Sequence, residues 1–254
     1  MESSSRKGNV DVQPDAGSYN IVISSISPAV KKFYDMGGAR RADKILARLE
    51  SGYLNGYLNG DETLRPDSII YNQVIDYWAK TQSVRGHFMK ARDVLDRQVK
   101  MFREEKVRKC RSDVTGYTSV IAACASTYGT VKEKRRSFDM AHLTFMESCA
   151  EKYTQPNDVT YGVMFKAVGR LLNNSDEQDK YARTLFKLCC DDGYLGEMAF
   201  MRMKAAVSNV VYKELTGGKM YEELPEEWKR NVTKRQKKYD MRKNLAKKGN
   251  QLRP

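Results

Sequence analysis

Residues 66–78 read Pro66-Asp67-Ser68-Ile69-Ile70-Tyr71-Asn72-Gln73-Val74-Ile75-Asp76-Tyr77-Trp78, and their spacing decides the fold. Counted from Tyr71, apolar side chains stand at +3, +4 and +7, as Val74, Ile75 and Trp78. A helix turns once per 3.6 residues, so these positions line up as one apolar stripe. The same offsets recur from Tyr19 (Val22, Ile23, Ile26), Tyr117 (Val120, Ile121, Cys124) and Tyr161 (Met164, Phe165, Val168). The four segments are therefore read as four copies of one helix.

A second helix is expected after each, opening its stripe on a small residue that lets the two helices approach closely. These stripes are Ala42-Ile45-Leu46-Leu49, Ala91-Val94-Leu95-Val99, Ala141-Thr144-Phe145-Cys149 and Ala182-Leu185-Phe186-Cys189. A lone hairpin cannot bury its stripe, so successive hairpins must stack. The expected class is all-α, a right-handed α-solenoid of stacked helix-turn-helix hairpins. Its expected divisions are an unstructured N-terminus over 1–13, four hairpins over 14–195, a capping helix over 196–224 and a basic tail over 225–254.

The tyrosines lie 52, 46 and 44 residues apart, so each unit carries an insertion over a minimal hairpin. Gly52–Gly60, a duplicated GYLN, reads as a surface loop, and the charged run Lys100–Arg111 as a helix extension. Gly129–Arg136 and Asn173–Asp179 read as turns. Glu197–Leu215 reads as one helical stretch stopped by Gly217-Gly218. Pro225 then opens a charged segment holding Trp228, with the rest of the tail either a solvated helix or disordered.

Composition narrows the function. With 41% apolar residues, 6 Pro and 17 Gly, the chain has enough apolar content for a core and few helix breakers. No apolar run approaches the roughly 20 residues that cross a bilayer. The formal charge of +13 is unevenly spread. Residues 229–254 hold eleven Lys/Arg against one acid, Asp240, a net of +10 that leaves +3 for everything before. Such a cluster, Lys234, Arg235, Lys237 and Lys238 included, attracts polyanions and displaces their counterions, and it also serves as a solubilising tail. The five cysteines (Cys110, Cys124, Cys149, Cys189, Cys190) form no C-x-x-C, which argues against a zinc site or a disulfide framework and fits a reducing compartment. His87 and His142 stand alone, without the H-x-E of a zinc deaminase. No Gly-rich phosphate loop is present. No enzyme, cofactor, metal or small-molecule substrate is expected.

The units share more than apolar spacing. Four residues before each tyrosine stands Asp15, Asp67, Asp113 or Asn157, preceded by Pro14, Pro66 and Pro156 in three units. One residue after it stands Asn20, Asn72, Thr118 or Gly162. This P-D-x-x-x-Y-N-x-x-I signature, followed by an A-x-x-L-F-like second helix, resembles the pentatricopeptide repeat family over about residues 14–195. The Cys189-Cys190-Asp191-Asp192-Gly193 close of the last unit resembles it too. The units are longer than that family's usual repeat. Tetratricopeptide repeats carry a different signature of Trp, Leu-Gly and Tyr, absent here.

The resemblance implies that each unit offers two polar side chains to the Watson–Crick edge of an RNA base, with apolar neighbours sandwiching the ring. The implied pairs are Asn20 with Asp67 and Asn72 with Asp113, resembling uracil readers, and Thr118 with Asn157, resembling an adenine reader. Gly162 offers no polar group, so the fourth unit is expected to read poorly. Asp67, Asp113 and Asn157 also fit plain N-caps, and both readings stand at this point. The tyrosines are expected to be packing residues.

The implied function is single-stranded RNA binding in mitochondrial or plastid RNA processing, stability or translation. A protein–protein scaffold is the alternative: positive charge along the groove favours RNA, an apolar groove a peptide. Residues 1–13 carry no visible targeting segment. Pro14-Asp15 resembles the close of an earlier unit, so Met1 is expected to follow further repeats in the natural chain.

Overall fold

Short polar side chains ahead of the apolar stripes start the helices. Asp67 accepts from the Ile70 amide at 3.0 Å, and Asp113 from the Thr115 and Gly116 amides at 2.9 and 3.3 Å. Asn157 accepts from Val159 and Thr160 at 3.1 and 3.0 Å. Each cap satisfies amides that have no partner inside the helix, a contribution of about 1 kcal/mol.

The structure, a computed structural model, describes residues 14–33, 36–57, 62–81 and 85–232. The expected unstructured segment 1–13 and the residues Lys234, Arg235, Lys237 and Lys238 lie outside them. The regular structure among the described residues is all helical, with no strand among them. The helices are α1 Ala16–Phe33, α2 Met36–Tyr57, α3 Ser68–Lys80, α4 His87–Arg103, α5 Val114–Ala125, α6 Val131–Ala150, α7 Asp158–Leu171, α8 Ser175–Asp191, α9 Glu197–Ala206 and α10 Asn209–Thr216. No helix among the described residues is long and apolar enough to cross a membrane.

The chain divides into two compact units, Met1–Tyr128 and Gly129–Pro254. In the first, α1 packs against α2 and α3, α2 against α3, α3 against α4 and α5, and α4 against α5. Ile23, Leu46, Tyr71, Val74, Ile75, Leu95, Val120 and Ile121 fill its core with at most 1% of their surface exposed. Each such aliphatic side chain contributes about 1.5–3 kcal/mol by leaving water. Ala42 and Ala91 are fully buried and bring the helices together as expected. One stripe residue departs from expectation. Val22 is exposed, because among the described residues nothing covers that side of α1.

A polar network also ties the first unit. Tyr71 donates its hydroxyl to Glu50 Oε1 at 2.7 Å, and Trp78 donates Nε1 to Asp43 Oδ2 at 3.1 Å. Arg97 on α4 donates to Asp43 Oδ1 at 2.7 Å and stands 3.4 Å from Glu50. Burial pushes the Glu50 carboxyl above its usual range, against the opposing pull of Arg97 and the Tyr71 hydrogen bond.

In the second unit α6 packs against α7, α7 against α8 and α9, and α8 against α9 and α10. Phe145, Tyr161, Met164, Phe165, Leu185 and Phe200 form its core. Helices α7 and α9 meet at two glycines: a Cβ on Gly169 would lie 3.0 Å from the Ala206 Cβ, and one on Gly162 3.4 Å from the Ala199 amide.

Several expected boundaries move. The presumed loop at Gly52–Gly60 is helical through Tyr57 because Tyr53 is buried and carries α2 onward. The presumed helix extension at Lys100–Arg111 ends at Arg103. There Lys106 turns left-handed at φ 60° and the Val107 amide returns to the Met101 carbonyl at 3.1 Å. The presumed turn at Gly129–Arg136 is helical from Val131, started by Thr130 and Glu133 capping one another. Likewise Asn174 caps α8, so Ser175–Asp179 belongs to the helix. The single stretch expected over Glu197–Leu215 breaks into α9 and α10, because Val207 is extended and Ser208 caps the next helix. Gly217, at φ 64°, ends α10 as expected.

Candidate nucleic-acid interface

The residues expected to face RNA sit at or just inside the N-terminal ends of α1, α3, α5 and α7. Asn72 and Asp113 are brought together: Asn72 Nδ2 donates to Asp113 Oδ1 at 3.1 Å. That oxygen also accepts the two capping amides of α5, while Asp113 Oδ2 makes no hydrogen bond. An amide nitrogen has two hydrogens, so Asn72 retains one donor beside a free carboxylate oxygen. Asn72 Oδ1 is turned inward without a partner, against the Gly116 backbone, where an added Cβ would lie 2.9 Å from it.

Asn20 and Asp67, on the neighbouring helices, are not joined in this way. Asn20 makes no hydrogen bond to Asp67, and its Oδ1 is buried without a partner. Thr118, half-buried on α5, belongs to the first unit and Asn157 to the second. Asp67, Asp113 and Asn157 all act as N-caps, as the plainer of the two sequence readings requires. Gly162 is buried beneath Ala199 of α9, which explains why no polar side chain stands there.

One exposed apolar side chain in each unit, beside a candidate residue, escaped the sequence reading. Ile69 and Val159 are 57% and 38% exposed and stand three residues before Asn72 and Gly162, on the same helix face. Their signal was an apolar residue out of phase with the buried stripe. Charge on the face is sparse: Lys80 is paired with Asp76 on its own helix. The outward positions Thr115, Thr118, Ser119 and Ala122 of α5 are neutral.

The four tyrosines differ in setting. Tyr71, Tyr117 and Tyr161 are buried and Tyr19 half-buried, and Tyr161 donates to Asp192 Oδ2 at 2.5 Å. They are packing residues, and Tyr71 and Tyr161 also have their hydroxyls anchored on carboxylates. His87 is buried, its Nε2 donating to the Ala123 carbonyl at 3.0 Å. Cys110 packs at the N-terminal end of α3, donating its thiol to the Pro66 carbonyl at 3.3 Å. Burial, helped by the Asp67 charge, pushes that thiol up to about 12. Among the described residues no group of three His, Cys, Asp or Glu could hold a metal ion.

The basic run also divides. Trp228 meets Phe186 edge-on at 5.6 Å, and its carbonyl accepts from the Leu195 amide at 2.9 Å. Arg230 donates to the Asp191 carbonyl at the C-terminal end of α8, where a cation suits the helix dipole. Lys229 is 5% exposed, paired with Glu226 at 2.8 Å. Residues 225–232 are thus a docked end-piece of the second unit, and two of the cations counted in the tail are engaged there.

No family model, curated protein or solved structure matches this chain.

Proposed function

We propose that the chain is a single-stranded RNA-binding repeat protein of the pentatricopeptide type, a right-handed solenoid of stacked hairpins that performs no catalytic step. Its role is organellar RNA processing, stability or translation, in a mitochondrion or plastid. The observation that carries this reading is the contact between Asn72 and Asp113. One free N–H and one free carboxylate oxygen stand side by side, a donor and an acceptor that match the O4 acceptor and N3–H donor of uracil. Exposed Ile69 supplies an apolar surface for the ring. The packing of α1 on α3 and of α3 on α5, with α2 and α4 each shared between neighbours, supports the stacked arrangement.

One observation favours a second reading, a scaffold for a protein partner. The packed helices α1 and α3 expose Ile21, Val22 and Ile69, at 72%, 48% and 57%, and the sole cation on α3 outside its core, Lys80, is paired. An apolar, nearly neutral surface suits a peptide as well as a base.

The chain ending at Val232 separates the two, since it keeps the docked end-piece and removes the distal cations. Binding of fluorescent single-stranded RNA by that chain at about 150 mM salt, with no matching affinity for duplex RNA, supports RNA recognition by the helical body. Absence of binding once the distal tail is gone would leave the scaffold reading in its place.

A further inference from the structure

On α3 the one Lys is paired and α5 has no Lys or Arg, so a base-reading face there must find its phosphate neutralisation elsewhere, because the charged backbone dominates affinity for any nucleic acid. In the first unit the fold builds a basic projection beside that face. After α4 ends at Arg103, left-handed Lys106 reverses the chain. Val107 and Cys110 then bury as two anchors, at 3% and 0% exposure. Between and after them a short 3-10 turn, Arg108–Cys110, packs on α4 and on α3.

The Cys110 thiol bond to the Pro66 carbonyl fixes that turn one residue before Asp67, and Asp113 follows two residues after Arg111. With both anchors facing inward, Arg108, Lys109 and Arg111 are left exposed. Lys106 adds a fourth positive charge, its Nζ donating to the neutral Arg103 carbonyl at 2.6 Å. The acids adjacent in sequence are Glu104, 3.9 Å from Lys100, Glu105 and, two residues after Arg111, Asp113, and the segment from Lys106 to Arg111 itself holds four cations and no acid.

We propose that this projection, led by Arg108, Lys109 and Arg111, is a phosphate clamp that holds the sugar–phosphate backbone of a single strand whose base lies at Asn72 and Asp113. It rests on the base-reading proposal above and adds the site that supplies affinity. The two act on different observables: the clamp sets affinity and salt dependence for every sequence, and Asn72 sets preference among sequences.

The test uses the full chain with fluorescent oligouridine and oligocytidine of about twelve nucleotides, titrated between about 50 and 200 mM salt. Its variants are R108Q/K109Q/R111Q and, in the distal tail, K234Q/R235Q/K237Q/K238Q. Each lost contact removes about 0.7 from the slope of log affinity against log salt, so the loop variant should lose about 2. It should bind both oligonucleotides at least about tenfold more weakly at low salt, with the uridine-to-cytidine ratio and the unfolding midpoint unchanged. Wild-type slope and affinity in the loop variant, alongside a retained uridine preference, would sink the clamp and leave the base reader standing. Absence of RNA binding by the wild-type chain would remove both. Displacement of the RNA by polyglutamate at equal charge concentration would also overturn the clamp, by making the projection a patch for any polyanion.

Discussion

Tyr71→Phe deletes one hydroxyl from the network that joins α2, α3 and α4. Tyr71 is fully buried and Glu50 is 9% exposed, so the hydroxyl donated at 2.7 Å is a charge-assisted bond with little water to replace it. What remains for Glu50 Oε1 is the Arg97 guanidinium at 3.4 Å, an ion pair without a hydrogen bond. A bond of that class is worth about 1.5–3 kcal/mol, and the new ring leaves no cavity, so the expected loss is about 2 kcal/mol near pH 7. The cost should shrink toward pH 4, where Glu50 is protonated in more of the folded molecules and the bond loses its charge assistance. The two tryptophans give the assay. Trp78 reports the first unit and Trp228 the second, so Trp228→Phe isolates the relevant signal during denaturant unfolding. A double-mutant cycle with Glu50→Gln should return a coupling of about 1 kcal/mol or more. A loss below about 0.5 kcal/mol that is the same at both pH values would refute this account of the network.

Three further outcomes follow from other groups. Asp158 is 2% exposed, with Oδ1 unpartnered, and burial holds its carboxyl above the usual range. A folded-state pKa above the unfolded one means that the native state binds more protons, so this group's contribution to stability falls as pH rises from about 4. Asp158→Asn should therefore stabilise the second unit by about 1 kcal/mol at neutral pH and have little effect near pH 3, as read by Trp228 fluorescence in denaturant. Burial pushes the thiols of Cys110 and Cys190 to about 12 and that of Cys149 to about 11. The native chain should then react with a disulfide reagent about 100-fold more slowly than the denatured one, and a fast-reacting thiol at mild pH would contradict the packing. Thr130→Ala removes one half of the capping box at the start of α6 and should lower the second unit's stability by about 1 kcal/mol in the same denaturant assay.

The helical architecture was legible because its signals are local. A short polar cap and an apolar stripe at +3, +4 and +7 from Tyr71, Tyr117 and Tyr161 sufficed to place α3, α5 and α7, and the stripes from Ala42, Ala91, Ala141 and Ala182 are buried save for half-buried Ile45, Val99 and Cys149. What escaped either depended on partners far along the chain or lay in a local signal passed over. Glu50 and Tyr71 are 21 residues apart and Arg97 and Asp43 are 54 apart, and no spacing rule connects them. Trp228 was legible as aromatic but not as the lid of α8, because its partner Phe186 lies on another helix. The Thr130-x-x-Glu133 capping box was present in the sequence and was read as a turn. Of the candidate site, Asn72 and Asp113 could be named together because the resemblance to the pentatricopeptide family implies that pair. The projection at Arg108–Arg111 could not, since left-handed Lys106 carries no glycine to announce it.

The central claim is that Asn72 helps the helical body to choose among bases. The most direct measurement is the ratio of affinities for oligouridine and oligocytidine in the chain ending at Val232, with and without Asn72→Ala. Stability should change by less than about 1 kcal/mol in that variant, because a lost donor to Asp113 is offset by removal of the unpartnered Oδ1. A wild-type preference of about tenfold for uridine should fall severalfold in Asn72→Ala, which loses a neutral donor to O4 worth about 0.5–1.5 kcal/mol, while overall affinity falls only modestly. Equal binding of both oligonucleotides by the wild-type chain, or an undiminished preference in the variant, would contradict it.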